Sequence, residues 1–295
     1  MTLKESFDKF IFAKRIQGLD DTSIDNYIEM CGYVVDFLGA DSDIAEITKE
    51  KIETYLEYQL ERDISRSTYA TYVRNAKILL TWIENTYKLD FGAKTIKIPR
   101  TPKKTPYIYS DKDILLIFET ITTSTDWVTV RNKSMIALML DSGIRQEEVC
   151  NMKYSDIDFH SNIIKIHGKG NKERLVPLGS STKRYIQQYL AMCPHKSKRV
   201  FVALHGENIS TNALKLMASK ISAKLPFEFS CHKLRHNFAT NYCIDQFEKH
   251  GRIDIYSLMT IMGHENIKTT ERYMHVAMQI LASRQNISHL DKILA

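Results

Sequence analysis

Apolar residues recur at helical spacing four times within the first 86 residues. Each stripe continues at intervals of three or four residues, which is the period of an amphipathic α-helix. The four stripes begin at Leu3, Ile24, Ile52 and Tyr69. The second stripe ends at Gly39, a residue that favours helix termination, and Thr48 stands where an N-cap would precede the third. The pattern therefore predicts a bundle of four helices over residues 1–86.

Residues 87–109 have a different character and predict an interdomain linker. Three prolines oppose helix formation here, at Pro99, Pro102 and Pro106. The segment also carries Lys94, Lys97, Arg100, Lys103 and Lys104. It therefore reads as an extended basic strip that either contacts a partner or acts as a plain tether.

The remaining chain mixes helical patterns with one strand pair. Ser110 is the expected N-cap of the next helix, and Trp127–Asp141 continues as an apolar helix. The apolar segments 163–166 and 175–178 flank a glycine-containing turn and predict a β-hairpin, followed by helices over 180–192 and 210–223. We expect a mainly α fold with a small β-sheet, in which a mixed α+β domain spans 110–277 and an apolar tail spans 278–295. The apolar residues of the tail must be buried, either against its own domain or in a neighbouring copy.

Composition restricts the class of protein. The chain has 295 residues, 43% hydrophobic and 26% charged, which suits two globular domains. No apolar run approaches the roughly 20 residues of a membrane span, and the N-terminus lacks the apolar region of a signal peptide. The five cysteines are scattered without paired spacing, so we expect a reducing, cytoplasmic location and no membrane partner.

Charge is unevenly distributed along the chain. Residues 1–100 contain 14 Lys and Arg against 17 Asp and Glu, a balance of −3, whereas residues 101–295 contain 27 against 18, a balance of +9. A basic half is typical of a nucleic-acid-binding protein, although a basic solvated surface has the same composition. The fourth helix also carries Arg66, Arg74 and Lys77, which either contact a DNA backbone or form a solvated face.

The residues with the most distinctive chemistry lie between 230 and 276. His232, Arg235 and His236 share one face of a predicted helix. Gly263 is placed as a helix C-cap that releases His264 into a turn, and Tyr273 follows on a short helix. Basic groups that converge with a tyrosine indicate a phosphodiester substrate and a tyrosine nucleophile.

Two earlier segments carry further candidate residues. Arg145 follows the break at Ser142-Gly143, and Glu148 lies three residues later, where it can hold the guanidinium. Lys169 lies between two glycines at the tip of the predicted hairpin, from which it can swing towards a ligand. Both residues also have an explanation without function. Arg145 would form an ordinary surface ion pair, and Lys169 would be a solvent-facing turn lysine.

Taken together, these motifs resemble the tyrosine recombinase, or phage-type integrase, family. The resembling segments are Gly143–Val149, His167–Leu178, His232-Lys233-Leu234-Arg235-His236 and Gly263-His264 with Tyr273 nine residues later. Four motifs occur in the family's order over about 130 residues, whereas any one of them alone would be weak. The resemblance implies a SAM-like core-binding domain over residues 1–86 and a recombinase catalytic domain after it, as in the Xer, Cre or mobile-element type.

The resemblance also implies catalytic roles. Arg145 and Arg235 would clamp the phosphate, His232 and His264 would donate further hydrogen bonds, Lys169 would act as general acid, and Tyr273 would attack phosphorus. The product is a 3′-phosphotyrosine, so neither a metal nor another cofactor is required. The implied partners are double-stranded DNA, other copies of the chain and accessory DNA-bending proteins, with a monomer or dimer before synapsis and a homo-tetramer on two DNA sites.

Three other interpretations remain open at this point. A type IB topoisomerase shares the chemistry, although the two-domain size and the Gly-His-x-x-x-x-Thr-Thr stretch favour a recombinase. A catalytically silent DNA-binding protein would keep the fold, but the complete set of six residues argues against it. His232 and His236 have the spacing of zinc ligands, but Arg235 between them would repel a cation.

Overall fold

The computed structural model describes residues 1–101, 106–168, 172–284 and 289–294. Two compact units divide the chain, Met1–Lys104 and Thr105–Ala295. Helices predominate in both units and a three-stranded sheet lies in the second, so the predicted mainly α fold with a small β-sheet is confirmed. Within the described ranges, no helix combines the length and apolar character needed to cross a bilayer.

The first unit is built from four α-helices, as the apolar stripes predict. Their bounds are α1 Leu3–Ile16, α2 Asp21–Leu38, α3 Lys49–Glu61 and α4 Arg66–Tyr87. Thr48 caps α3 by accepting a hydrogen bond from the backbone N–H of Lys51, and Gly39 follows the end of α2, so both predicted helix boundaries are confirmed.

The first core extends past the end of α4. Phe91, Ala93 and Ile96 are buried in it, although the sequence pattern assigns them to a linker. The buried carboxylate of Glu84 fixes this segment, because its Oε1 accepts hydrogen bonds from the backbone N–H groups of Phe91 (3.0 Å) and Ala93 (2.8 Å). The chain therefore stays in the first core as far as Ile96, and the first of the three prolines, Pro99, comes after that point.

Lys77 of α4 is occupied within this unit. Its ammonium donates to the carbonyl oxygens of Lys94 (3.0 Å) and Ile96 (2.7 Å). In this structure it secures the segment after α4, so it is not a free group on a solvated helix face. Arg66 and Arg74, by contrast, are exposed.

The second unit contains nine α-helices and three strands within the described residues. The helices are α5 Asp111–Thr120, α6 Asp126–Ser142, α7 Gln146–Asn151, α8 Ser180–Met192, α9 Thr211–Ser222, α10 Cys231–His250, α11 Ile255–Met262, α12 Ile267–Arg284 and α13 His289–Leu294. The strands are β1 Ile157–Asp158, β2 Ile163–His167 and β3 Glu173–Pro177.

The sheet is antiparallel, in the order β1-β2-β3. β2 and β3 form the predicted hairpin, with Ile164 opposite Val176 and Ile166 opposite Arg174. β1 has only two residues and pairs Ile157 with Ile164. A strand of that length has no alternating pattern, which explains why the sequence did not predict it.

Two cores hold the helices that carry the candidate site. The larger one gathers α5, α6, the sheet, α8, α9 and the first turn of α10. The smaller one joins α10, α11 and α12, and Tyr273, Ala277 and Leu281 of α12 are buried in it. A short helix was expected around Tyr273, but α12 is 18 residues long. Its last seven residues, 278–284, belong to the segment that the sequence pattern treats as a separate tail.

Candidate active site

Arg145 lies immediately before α7, after a sharp change of chain direction. Gly143 ends α6 with φ 61°, a left-handed conformation that suits glycine, and a Cβ at this position would collide with the Phe238 ring. The Arg145 guanidinium donates from Nη1 to Oε1 of Glu148 (3.1 Å) and from Nη2 to the carbonyl oxygen of Gly263 (3.0 Å). The side chain is 44% exposed, so it is held in place and still open to a ligand.

Glu148 is the buried acceptor that organises two arginines. Its Oε1 accepts from Nη1 of Arg174 (2.7 Å), and its Oε2 accepts from Nη2 of Arg174 (2.7 Å) and from the backbone N–H of Arg145 (2.7 Å). Burial acts to raise the pKa of Glu148, but the hydrogen bonds and charges of Arg174 and Arg145 outweigh it, and the pKa lies below its ordinary value. The predicted contact of Glu148 with Arg145 is confirmed, whereas Arg174 was not predicted.

Arg235 points from α10 into the interior and is 5% exposed. Its Nη1 donates to the carbonyl oxygen of Gly143, and its Nη2 donates to the carbonyl oxygen of Met262 (2.6 Å) and to Nε2 of His264 (3.0 Å). Burial and the nearby charge of Arg145 lower the pKa of Arg235 to about 10. These contacts use three of the five N–H groups of the guanidinium, so two remain for a ligand.

His264 sits just after the C-cap of α11, where Gly263 adopts φ 62° as predicted. Because an arginine can only donate, Nε2 of His264 accepts from Arg235, and the ring proton therefore lies on Nδ1, which donates to Oγ1 of Thr270 (2.9 Å). Burial and the charge of Arg235 lower the pKa of His264 to about 4. The expected hydrogen bond from His264 to a phosphate thus requires Arg235 to release Nε2.

His232 and His236 of α10 lie against each other, and His236 also lies against Tyr273. The ring centroids of His232 and His236 are 4.3 Å apart, and those of His236 and Tyr273 are 5.3 Å apart. Burial and the charge of His232 lower the pKa of His236 to about 4, and its buried Nδ1 has no hydrogen-bond partner. Partial desolvation and the charges of Arg272 and Arg235 lower the pKa of His232.

Tyr273 occupies the second turn of α12 and is 2% exposed. Its ring stacks on the imidazole of His264, with centroids 6.2 Å apart and planes inclined by 12°. Its Oη accepts a hydrogen bond from Nη2 of Arg272 (2.8 Å), and the guanidinium carbon lies 4.8 Å from the ring centroid. The hydroxyl therefore faces cations, although the ring belongs to the core.

Five of the six predicted site residues converge in this unit. Arg145 bonds to the carbonyl oxygen of Gly263, and Arg235 bonds to His264, which stacks on Tyr273. His232 joins them through His236, which lies between it and Tyr273. The sixth, Lys169, lies outside the described residues. The base of its hairpin is described, and there the backbone N–H of Gly168 donates to the carbonyl oxygen of Lys172 (2.8 Å).

Electrostatically, the site is strongly positive. Four guanidinium groups, those of Arg145, Arg174, Arg235 and Arg272, surround it, and the carboxylate of Glu148 pairs with two of them. The described part of the chain contains no group of three His, Cys, Asp or Glu side chains arranged for a metal ion. A surplus of fixed cations beside a hydroxyl suits an anionic ester substrate.

Comparison with known proteins gives consistent matches. The model of the phage integrase family matches residues 110–279. Tyrosine recombinase XerC of Chlamydia caviae is 27% identical over 295 aligned residues, which cover 92% of this chain and 90% of the relative.

Among solved structures, that of a lambda integrase(75-356) dimer bound to a COC' core site aligns with a TM-score of 0.73 at 16% identity and covers 93% of this chain and 95% of that one. The structure of a lambda integrase tetramer bound to a Holliday junction aligns with a TM-score of 0.70 at 17% identity and covers 90% of this chain and 78% of that one. At these identities the structural likeness establishes a shared fold.

Proposed function

The chain belongs to the phage integrase family and is a site-specific tyrosine recombinase, and from this premise we propose that Tyr273 is the residue that cleaves DNA. Arg145 and Arg235 bind the scissile phosphate, His232 and His264 support them, and Lys169 protonates the leaving oxygen. The observation that carries this proposal is the contact chain from Arg235 through His264 to Tyr273. It brings together a buried guanidinium from α10, an imidazole from the turn after α11 and a phenol from α12.

The proposed reaction is a transesterification. The Tyr273 oxygen attacks phosphorus, the bond from phosphorus to the 5′-oxygen breaks, and a 3′-phosphotyrosine forms. The phenol proton passes to a base, for which neutral His232 is suited by its lowered pKa, and the 5′-oxygen receives a proton from Lys169. Attack by the 5′-OH of a second strand reverses these steps and joins new partners, so no external energy source is needed.

The guanidinium groups supply the electrostatic part of catalysis. Charge on the non-bridging oxygens increases as the transition state forms, and fixed donors that need no rearrangement stabilise it most. Arg145 is already held by Glu148 and Gly263, and Arg235 by Gly143 and Met262. Both arginines are therefore positioned before DNA arrives.

We assign the two units different tasks on DNA. The first unit, with exposed Arg66 and Arg74 on α4, acts as the core-binding domain, and the second acts as the catalytic domain. Pro99, Pro102 and Pro106 lie in the segment that connects them. All five cysteines are free thiols, which supports a reducing cytoplasm as the place of action.

We also propose that the active species is an assembly of several copies on DNA. Support comes from the fold shared with an integrase dimer on a core site and a tetramer on a Holliday junction. Within this chain, Leu290, Ile293 and Leu294 of α13 are exposed by 60%, 64% and 75%. Three exposed apolar side chains on one short helix suit docking into a neighbouring copy. Whether accessory DNA-bending proteins join them depends on the DNA site.

Covalent trapping tests the proposal directly. The full chain, incubated with a nicked duplex that contains its recombination site, should give a protein–DNA adduct that survives detergent. Tyr273→Phe should abolish the adduct while it preserves DNA binding, because it removes only the attacking oxygen. Tyr256→Phe is the matched control, since Tyr256 is an exposed tyrosine of α11. An undiminished adduct with Tyr273→Phe would remove the central claim.

A further inference from the structure

Arg272 precedes Tyr273 on α12 and is the only described residue that hydrogen-bonds to its hydroxyl. Nη2 of Arg272 lies 2.8 Å from Oη of Tyr273, and the guanidinium carbon lies over the phenol ring at 4.8 Å. Because a guanidinium has no acceptor, the hydrogen bond runs from Arg272 to the tyrosine oxygen. The phenol proton is therefore left to point towards another group.

The charge of Arg272 is not neutralised by its surroundings. Arg145 and Arg174 share the carboxylate of Glu148. Among the described residues, no Asp or Glu forms an ion pair with Arg272, an exposed residue whose guanidinium donates directly to the phenol oxygen. Charge-assisted hydrogen bonds to an oxyanion are about twice as strong as bonds between neutral groups.

The same guanidinium influences all three histidines of the site. Burial is the main cause of their lowered pKa values, and the charge of Arg272 adds to the lowering for His232, His236 and His264. Arg235 acts on all three in the same direction, and Arg145 and Arg174 also act on His264. A neutral imidazole can accept a proton, so the cations that favour a tyrosine anion also keep the nearby bases ready for its proton.

We propose that Arg272 is a further catalytic residue, which binds the attacking oxygen of Tyr273 and stabilises the phenolate that forms as its proton leaves. The inference rests on the proposed role of Tyr273. In the cleavage step the phenol proton passes to neutral His232, the Tyr273 oxygen bonds to phosphorus, and the 5′-oxygen leaves with a proton from the general acid. Arg272 exchanges no proton. It holds the oxygen before attack and can then donate to the phosphate oxygen beside the new bond.

Adduct formation with the nicked duplex, followed against pH, tests this role in the full chain. Arg272→Ala should slow cleavage by about 10²-fold near neutral pH, the scale of one lost transition-state donor. The rate profile of the variant should move to higher pH, because the phenol must ionise without the cation. Arg272→Lys keeps the charge and should recover most of the rate, and added guanidinium ion should partly rescue Arg272→Ala.

Arg284→Ala is the matched control, because Arg284 is an exposed arginine on the same helix whose ion pair with Glu248 is remote from Tyr273. It should cleave like the wild type, and all variants should bind the nicked duplex equally, which shows that they are folded. Wild-type cleavage by Arg272→Ala would overturn the inference. So would an equal loss at every pH that guanidinium does not rescue, since that pattern indicates structural support alone. In both cases, an adduct that depends on Tyr273 would leave the proposed function intact. If the wild-type chain formed no adduct at all, both the inference about Arg272 and the proposed function would fail.

Discussion

The guanidinium of Arg174 and the carboxylate of Glu148 form a two-bonded pair, with both N–H···O distances at 2.7 Å. The pair joins strand β3 to helix α7, and the same carboxylate holds Arg145. Nε of Arg174 also donates to the carbonyl oxygen of Ile261 near the end of α11 (2.8 Å). One buried ion pair therefore connects the hairpin, Arg145 and the turn that presents His264.

The first prediction concerns the contribution of this pair to stability. Glu148→Gln should lower the free energy of unfolding of the second unit by about 3–5 kcal/mol, because it leaves Arg174 buried without a counter-charge. Urea unfolding measures this change, read from Trp127 fluorescence in a Trp82→Phe background. Glu147→Gln is the control, since Glu147 is the exposed neighbour and its substitution should change little.

The same pair predicts a pH dependence with a definite sign. The folded-state pKa of Glu148 lies below its ordinary value of 4.5, so its stabilisation is present above pH 4.5 and is lost as the pH falls through the folded-state pKa. Wild-type stability should therefore drop more steeply in acid than that of Glu148→Gln. Parallel acid profiles for the two proteins would show that the carboxylate does not carry the charge we assign to it.

Local signals in the sequence predicted local structure well. Thr48 and Ser110 cap helices through contacts to a residue three positions on, and Gly263 ends α11 with a positive φ. Such features depend on a few neighbouring residues, so the sequence alone is enough to predict them. The contact between Arg145 and Glu148 belongs to the same class, at a separation of three residues.

Contacts between residues distant in sequence leave no comparable local signal. Arg174 meets Glu148 across 26 residues, and Lys77 reaches backbone carbonyls 17 and 19 residues later. The surroundings of His236 are of the same kind, because its ring meets Tyr273 across 37 residues and its buried Nδ1 has no hydrogen-bond partner in the described part of the chain. The length of α12, by contrast, could have been predicted from the sequence. Tyr273, Ala277 and Leu281 are spaced by four residues, which indicates one continuous helix.

The second prediction separates catalysis from binding at the arginine clamp. Arg145→Ala or Arg235→Ala should reduce cleavage by about 10²–10³-fold, as for loss of one transition-state donor. DNA affinity, measured by titration of a labelled duplex, should fall much less, because many other phosphate contacts remain. Equal losses in affinity and cleavage would make these residues ordinary docking groups.

The third prediction tests Lys169 as the general acid. Lys169→Ala should fail on a normal nicked substrate but recover on one with a 5′-thiolate leaving group, which departs without a proton. Lys172→Ala is the neighbouring control, because its ammonium pairs with Glu265 (2.6 Å). If the sulfur substrate gives no rescue, the proton comes from another residue.

The last prediction concerns the C-terminal segment, for which the structure separates two parts. Leu281 is 8% exposed and lies in the same core as Tyr273, so the chain to residue 284 belongs to its own catalytic unit. Leu290, Ile293 and Leu294 of α13 are exposed and remain available to another copy.

Deletion of residues 285–295 should therefore leave the unfolding midpoint and single-site DNA binding unchanged, but it should abolish cooperative binding to paired sites and most complete recombination. Deletion of residues 279–295 also removes Leu281 and should lower stability by about 2–5 kcal/mol, as Leu281→Ala should do alone. Gel-shift titrations on single and paired sites, with urea unfolding of the same proteins, distinguish the two parts. Normal recombination by the shorter deletion would rule out docking between copies, because the exposed leucine and isoleucine side chains would then have no role in assembly.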